Sequence, residues 1–430
     1  MKLSFVGRLS MALFASLALG LGTTSCSVGT IGYMWVLGQE YNQIAGFKVD
    51  QYSGNLTAVQ GSPFSSNGSV PVSIVVKSGG AYVYVINQGV CPTAGCGTAT
   101  NTGQSIALFS VGGDGVLTFQ ESYVSQGYDS LWAQMDSTGT YLYVLDKYSP
   151  GVNAQSGLYN APNTDGNGSI TAFSADPNTG RLTLMTNSQT QVAGVNTPFW
   201  EVGPSPVMSK SQGGCLYTVN GPSASSGTQT VTPYSVGSTG QLVFTTTGNI
   251  VINRTNTSVA TNITSINGAG SYMFLTDAAS NVLYGYETTG SCNLTALSGG
   301  TTSLATDFPN TSDPVYSLID STGKYLYVAN NSTTSTQTTT PFSSLSALTI
   351  NSTNQELQPI IGSPYPAGSG PQCMAEDPSN QYIYTSNYND GTVTGFALNA
   401  TSGELSDLTK GSTFTAVGKA SCLAISGSIN

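Results

Sequence analysis

Polar and apolar positions in this chain alternate in short bursts, and one aromatic-rich burst returns seven times. The copies are GYMWVLG at Tyr33, AYVYVIN at Tyr82, TYLYVLD at Tyr141, GCLYTVN at Cys215, SYMFLTD at Tyr272, KYLYVAN at Tyr325 and QYIYTSN at Tyr382. Alternation with a period of two predicts a strand, and the Gly shortly before the copies and the Asn or Asp that closes most of them supply turn chemistry. Downstream of each copy an apolar residue stands three before a mostly aromatic one: Ile44 with Phe47, Ile106 with Phe109, Ile170 with Phe173, Val231 with Tyr234, Leu283 with Tyr286, Leu345 with Leu348 and Val393 with Phe396. A turn and a Leu then open a further strand at Leu56, Leu117, Leu182, Leu242, Leu294, Leu357 and Leu405. Three strands therefore repeat in phase.

The remaining strand of each unit lies about a dozen residues before the aromatic one, as in PVSIVV from Pro71, SLWAQMD from Ser130, PVMSK from Pro206, PVYSLID from Pro314 and PQCMAED from Pro371. The N-terminal copy has none, whereas the chain closes with ASCLAISGS from Ala420, which has that pattern and nothing after it. The expected fold is all-β: a single seven-bladed β-propeller over residues 27–430, made of four-stranded blades and closed by pairing the C-terminal strand with the N-terminal blade. The strand aromatics then pack neighbouring sheets together. The repeated Asn87, Asp146, Asn220, Asp277, Asn330 and Asn387 form turns.

Composition agrees. Only 7% of the 430 residues are charged, and Ser, Thr, Asn and Gly carry the polar quota, which suits turns and short strands rather than helices. Eleven Lys and Arg against twenty-one Asp and Glu give a net charge of −10, which argues against a nucleic-acid partner. Residues 1–26 read as an export signal: Lys2 and Arg8, then an apolar run over residues 11–21 too short to span a bilayer comfortably, then T-T-S-C. That ending resembles a lipobox with Thr23 in place of the usual Leu, so Cys26 is the expected lipidation site and a lipid anchor the expected membrane contact. The location implied is exported, periplasmic or outer-surface. The six other cysteines are then expected as disulfides. Cys91 and Cys96 enclose a short turn; Cys373 and Cys422 share a register in adjacent first strands; Cys215 and Cys292 fall on one face of neighbouring blades.

In a propeller, the loops from second to third strands and from fourth to next first strands open on one face around the channel, the expected binding face. Residues of interest in the interblade loops are Asp129, Trp200, Glu201, Arg254, Asp313 and Lys419. The YLYVAN-type strand, the G-x-L-T turn and the closing blade resemble the propeller lactonase family, which includes 6-phosphogluconolactonase and muconate-lactonising relatives, over roughly residues 32–425. The resemblance implies hydrolysis of a sugar-acid lactone at the channel mouth by a His with Arg and Glu, yet this chain contains no His. Ring opening needs a base to activate water and a cation or donor for the oxyanion. Glu201 or Asp129 would have to be the base and Arg254 or Lys419 the electrostatic partner, with Trp200, Asp313 and Lys419 contacting ligand. Two competing readings are a non-catalytic envelope propeller whose loops over residues 148–167 and 331–341 hold a glycan or protein, and a purely structural envelope component. No phosphate loop, dinucleotide fingerprint or metal-ligand spacing is present, so no cofactor or metal is expected, and the protein is expected to be a monomer.

Overall fold

The computed structural model describes residues 29–91, 102–152, 159–162, 166–192, 194–221, 229–245, 249–252, 261–332 and 343–427. Cys26 with the rest of the leader, Cys96, Arg254 and parts of both variable loops lie outside the described residues. Seven antiparallel sheets follow one another around a ring. Blade 1 is split: Ala420–Gly427 pairs with Thr30–Gly38, followed outward by Gln43–Asp50 and Leu56–Ala58. The innermost strands of blades 2 to 7 are Pro71–Val76, Tyr128–Met135, Pro206–Gln212, Ile263–Ala269, Pro314–Ile319 and Pro371–Glu376. The fourth of these, Ile263–Ala269 of blade 5, carries no proline or other mark of its start. Among the described residues helix is confined to one turn, Leu304–Asp307, capped by Ser303.

The fourth strand is only three residues long in five blades, too short to cover the third. In those blades a further short strand pairs with the exposed half of the third, as Phe64–Ser65, Trp200–Pro204, Ile250–Val251, Tyr365–Pro366 and Thr413–Thr415 do. Blades 2 and 5 instead have one long fourth strand, Leu117–Tyr123 and Leu294–Ser303.

The repeated aromatics do more than fill space. The first Tyr of a second strand lays its ring over a glycine in the turn before the fourth strand of the next blade. A Cβ on that glycine would stand 2.1 Å from the Tyr33 ring at Gly115, 2.6 Å from Tyr82 at Gly180, and 2.4 Å from Tyr141 at Gly240, Tyr325 at Gly403 and Tyr382 at Gly54. Two residues on, a second ring donates to the same glycine's carbonyl: Tyr84 to Gly180 at 2.6 Å, Tyr143 to Gly240 at 2.9 Å, Tyr327 to Gly403 at 2.9 Å, Tyr384 to Gly54 at 2.5 Å, and the Trp35 indole to Gly115 at 3.1 Å. Each is a buried bond between blades.

Where the latch is missing, the sequence changes on both sides of the joint. Between blades 4 and 5, Cys215 takes the place of the covering Tyr and Cys292, at φ +61°, the place of the glycine, and the two are bonded with Cα atoms 5.6 Å apart. Between blades 5 and 6, Phe274 has no hydroxyl to donate and Gln355, at φ +59°, replaces the glycine. The other inter-blade bridge, Cys373–Cys422, ties the innermost strands of blades 7 and 1 with Cα atoms 5.0 Å apart. Cys91 is also disulfide-bonded.

The Asn or Asp that closes each second strand from blade 2 onward is fully buried. It anchors the loops of the binding face: the Asn87 amide donates to Ser66 O at 3.0 Å and Ser105 Oγ at 3.1 Å, and Asp277 accepts from the Asn262 N–H at 2.9 Å. Asp146 accepts from the hydroxyls of Ser125, Ser130 and Thr171 at 2.5, 2.6 and 3.1 Å, yet burial outweighs these donors and pushes its pKa up to about 7. The folded protein then holds a proton that the unfolded chain releases near pH 4, so this residue's contribution to stability falls as pH rises from about 4 to 7 and stays low above that. Asparagine occupies the equivalent position in blades 2, 4, 6 and 7. Asp146→Asn is therefore expected to remove about 2 to 3 kcal/mol of the stability lost between pH 5 and 8. Urea titrations at the two pH values check this; parallel losses in both proteins would show that Asp146 does not titrate in that window.

Candidate functional site at the channel mouth

Every innermost strand slips register against its neighbour just after it begins. A bulge leaves one residue unpaired and turns it off the ladder. The bulged positions are Val72, Leu131, Val207, Thr264, Val315 and Gln372, with Ser421 in the slipped stretch of the closing strand, and all but Val207 line a cavity of about 470 Å³ at the channel mouth. Below them, Trp132 of blade 3 and Tyr316 of blade 6 reach each other across the channel, ring centroids 6.2 Å apart, and form its floor. Burial alone pushes the Tyr316 hydroxyl up to about 12, so it stays a neutral donor.

The wall has two characters. Val72, Leu131, Met208 and Val315 make an apolar arc, whereas Gln39, Gln372, Tyr388 and Ser421, all from blades 7 and 1, make a polar one. The Tyr388 hydroxyl donates to Gln39 Oε1 at 2.6 Å, and Lys419 Nζ stands 5.4 Å over the Tyr388 ring. The Gln39 N–H fixes the Lys419 backbone by donating to its carbonyl at 2.8 Å. Lys419 is thus the sequence-predicted residue that the fold brings beside this cavity.

Asp129 and Asp313 occupy one structural position, two residues before the bulge of an innermost strand, which is left-handed in five blades: Val70, Asp129, Ser205, Asp313 and Gly370 have φ of 57, 61, 44, 51 and 72°. Asp and Ser tolerate this region better than most side chains, which accounts for much of their presence here. Their geometry still matters, because each stands three residues above one half of the aromatic floor. Asp129 is 2% exposed and pairs with Lys147 at 3.5 Å. Trp200 and Glu201 lie elsewhere, in a separate cavity between blades 3 and 4, so the fold does not bring Glu201 to the Asp129 side of the mouth. Arg254 is outside the described residues.

The sequence reading passed over Trp132, Tyr316, Gln39, Tyr388, Lys147 and Lys210. Trp132 and Lys210 sat in plain view inside strand patterns, but which innermost-strand residues matter becomes legible only once the bulge position is known. The side chain of Lys210, two residues below Met208 on blade 4, makes no ion pair or hydrogen bond among the described residues, and burial pulls its pKa down to about 8. Among the described residues no group of three or more Cys, Asp or Glu is placed to hold a metal.

Residues 281–421 match the family model described as Lactonase, 7-bladed beta-propeller. The chain resembles the propeller lactonases. The matched stretch of this lactonase-like propeller runs from blade 5 to the closing strand and contains Asp313, Tyr316, Lys419 and three members of the polar arc, Gln372, Tyr388 and Ser421. Solved propellers share the fold at low identity. The periplasmic gluconolactonase of Pseudomonas aeruginosa superposes with a TM-score of 0.63 at 15% identity, covering 93% of this chain and 100% of that one. A candidate 6-phosphogluconolactonase from Bacteroides uniformis gives a TM-score of 0.66 at 14% identity over 93% and 100% of the two chains. No curated protein sequence matches the chain.

Proposed function

We propose that the protein opens the lactone of a polyhydroxy acid at the channel mouth. The observation that carries this reading is the half-polar, half-apolar cavity over the Trp132–Tyr316 floor, set in a lactonase-like propeller. Amide and hydroxyl groups of the polar arc suit sugar hydroxyls, and the aromatic floor suits the C–H face of a ring.

In the reaction a water adds to the acyl carbon, the ring C–O bond breaks, and the alkoxide takes a proton to give the open hydroxy acid. Asp313 is assigned to receive the proton of the attacking water, because it is half-buried three residues before Tyr316 of the floor, whereas Asp129 is 2% exposed. Lys419 is assigned to stabilise the oxyanion from the Tyr388 side. Export and attachment through Cys26 belong to the same proposal, supported by disulfides that persist outside the reducing cytoplasm.

The test is proton release from D-glucono-1,5-lactone above its spontaneous hydrolysis. Asp313→Asn is expected to lower kcat about 100-fold or more and Lys419→Met about 10-fold, while Glu201→Gln leaves the rate unchanged. Undiminished turnover in both of the first two variants, or none in the parent protein, overturns the assignment.

A further inference from the structure

Among the described residues, the junction between blades 3 and 4 carries an insertion with its own hairpin. After the fourth strand of blade 3, Leu182–Leu184, the chain makes a hairpin, Asn187–Val192 with Val195–Thr197, before Trp200–Pro204 rejoins the sheet. The hairpin and the outer strands of blade 4 enclose a cavity of about 700 Å³. It is larger than the channel mouth and shares no lining residue with it.

Its chemistry is distinct. Phe244 lines it with 51% of its surface exposed and meets Tyr234 edge-on at 6.0 Å, while Trp200 is held by its indole N–H, which donates to Leu242 O at 2.8 Å. The hydrogen-bonding groups are also built in. Asn187 donates to Phe199 O at 3.3 Å and accepts from the Gln189 N–H at 2.9 Å; Thr232 Oγ1 donates to Asn249 Oδ1 at 2.9 Å; Asn167 donates to Glu201 Oε1 at 3.2 Å. Ser149, 1% exposed, lines the same cavity with a hydroxyl that has no hydrogen-bond partner among the described residues. Among the described residues neither Lys nor Arg lines it.

We propose that this inter-blade cavity is a binding site for a neutral oligosaccharide. An exposed aromatic face backed by fixed rings suits the apolar face of a sugar, and amides, hydroxyls and one carboxylate suit its hydroxyls. The acidic, cation-free lining disfavours uronic acids and sulfated or phosphorylated sugars, because their charge would be buried without a counterpart. The site stands apart from the channel mouth, so it does not depend on lactone opening.

Calorimetric titration of the full chain with maltotriose, cellotriose and trigalacturonate tests the site. One of the two neutral trisaccharides is expected to bind saturably and trigalacturonate not to bind. Phe244→Ala, a change at an exposed position, is expected to weaken that binding about 10-fold or more, and Asn249→Ala about 5-fold. Tyr388→Phe at the channel mouth leaves it unchanged. Absence of binding by both neutral sugars overturns the proposal, as does equal binding of trigalacturonate. Affinity insensitive to Phe244→Ala and Asn249→Ala but lost in Tyr388→Phe also overturns it, by moving the sugar into the channel.

Discussion

Truncation after Lys419 is expected to leave a protein with no cooperative thermal transition. The lost segment contains Ala420–Gly427, the innermost strand of blade 1, which pairs with Thr30–Gly38 and packs against the first strands of blades 7 and 2. It also contains Cys422, whose bridge to Cys373 spans 49 residues and on the chain-entropy estimate contributes about 4 kcal/mol. A ring without this strand leaves the edge of Thr30–Gly38 unpaired and exposes the apolar side chains behind it. Calorimetry of the truncated and full chains decides the matter, and a sharp melt within a few degrees of the full chain would contradict closure by this strand. The double variant Cys373→Ala/Cys422→Ala separates the causes: it keeps the strand, loses only the bridge, and is expected to melt cooperatively at a lower temperature.

The second large effect concerns the latch between blades. Gly403 has φ +74°, and an added Cβ would lie 2.4 Å from the Tyr325 ring and 2.7 Å from Ile360. Gly323 has a similar φ of +71°, but nothing stands within 4 Å of its added Cβ. Both alanine substitutions carry the left-handed backbone penalty of about 1 kcal/mol. At Gly403 the rings must also give way, and with them the Tyr327–Gly403 bond, so a total of about 3 to 4 kcal/mol is expected. Denaturant midpoints of the two variants measure the difference directly; equal losses would mean that the glycines in these turns serve the backbone alone.

Much of the architecture was legible because period and repeat are properties of the chain itself. The seven aromatic strands, the Leu that opens each fourth strand and the orphan strand at the C-terminus required no distances. The shared register of Cys373 and Cys422 was legible for the same reason. The innermost strand of blade 5 left no such mark, since Ile263 replaces the proline that begins four of the others. The short fifth strands were also hidden, because two or three paired residues have no period.

The functional residues were harder to read for a different reason. Scarcity of charge drew attention to Glu201, Asp129, Asp313 and Lys419 alike, yet position around the ring separates them. Glu201 follows an insertion that carries it to the outer cavity, while Lys419 precedes the strand that closes the channel. Gln372 and Ser421 earn no notice as residue types; a bulge alone turns them toward the mouth. Asp129 and Asp313 owe their place to a backbone corner shared with Val70, Ser205 and Gly370, so their residue type does not by itself mark a site.

The meeting of Trp132 and Tyr316 changes what the channel is. A propeller open along its axis is a tunnel, in which a ligand enters at one end and its product leaves at the other. Here two rings from opposite blades meet beneath the mouth cavity, so a ligand that enters at the mouth comes to rest on them. In the proposed lactone opening, the acid formed above this floor departs past Gln39, Tyr388 and Lys419 and, unlike the lactone, carries a negative charge toward the lysine. In that proposal, vacating the mouth is a step of the cycle in its own right, and the cation assigned to ease ring opening is the one that delays the exit.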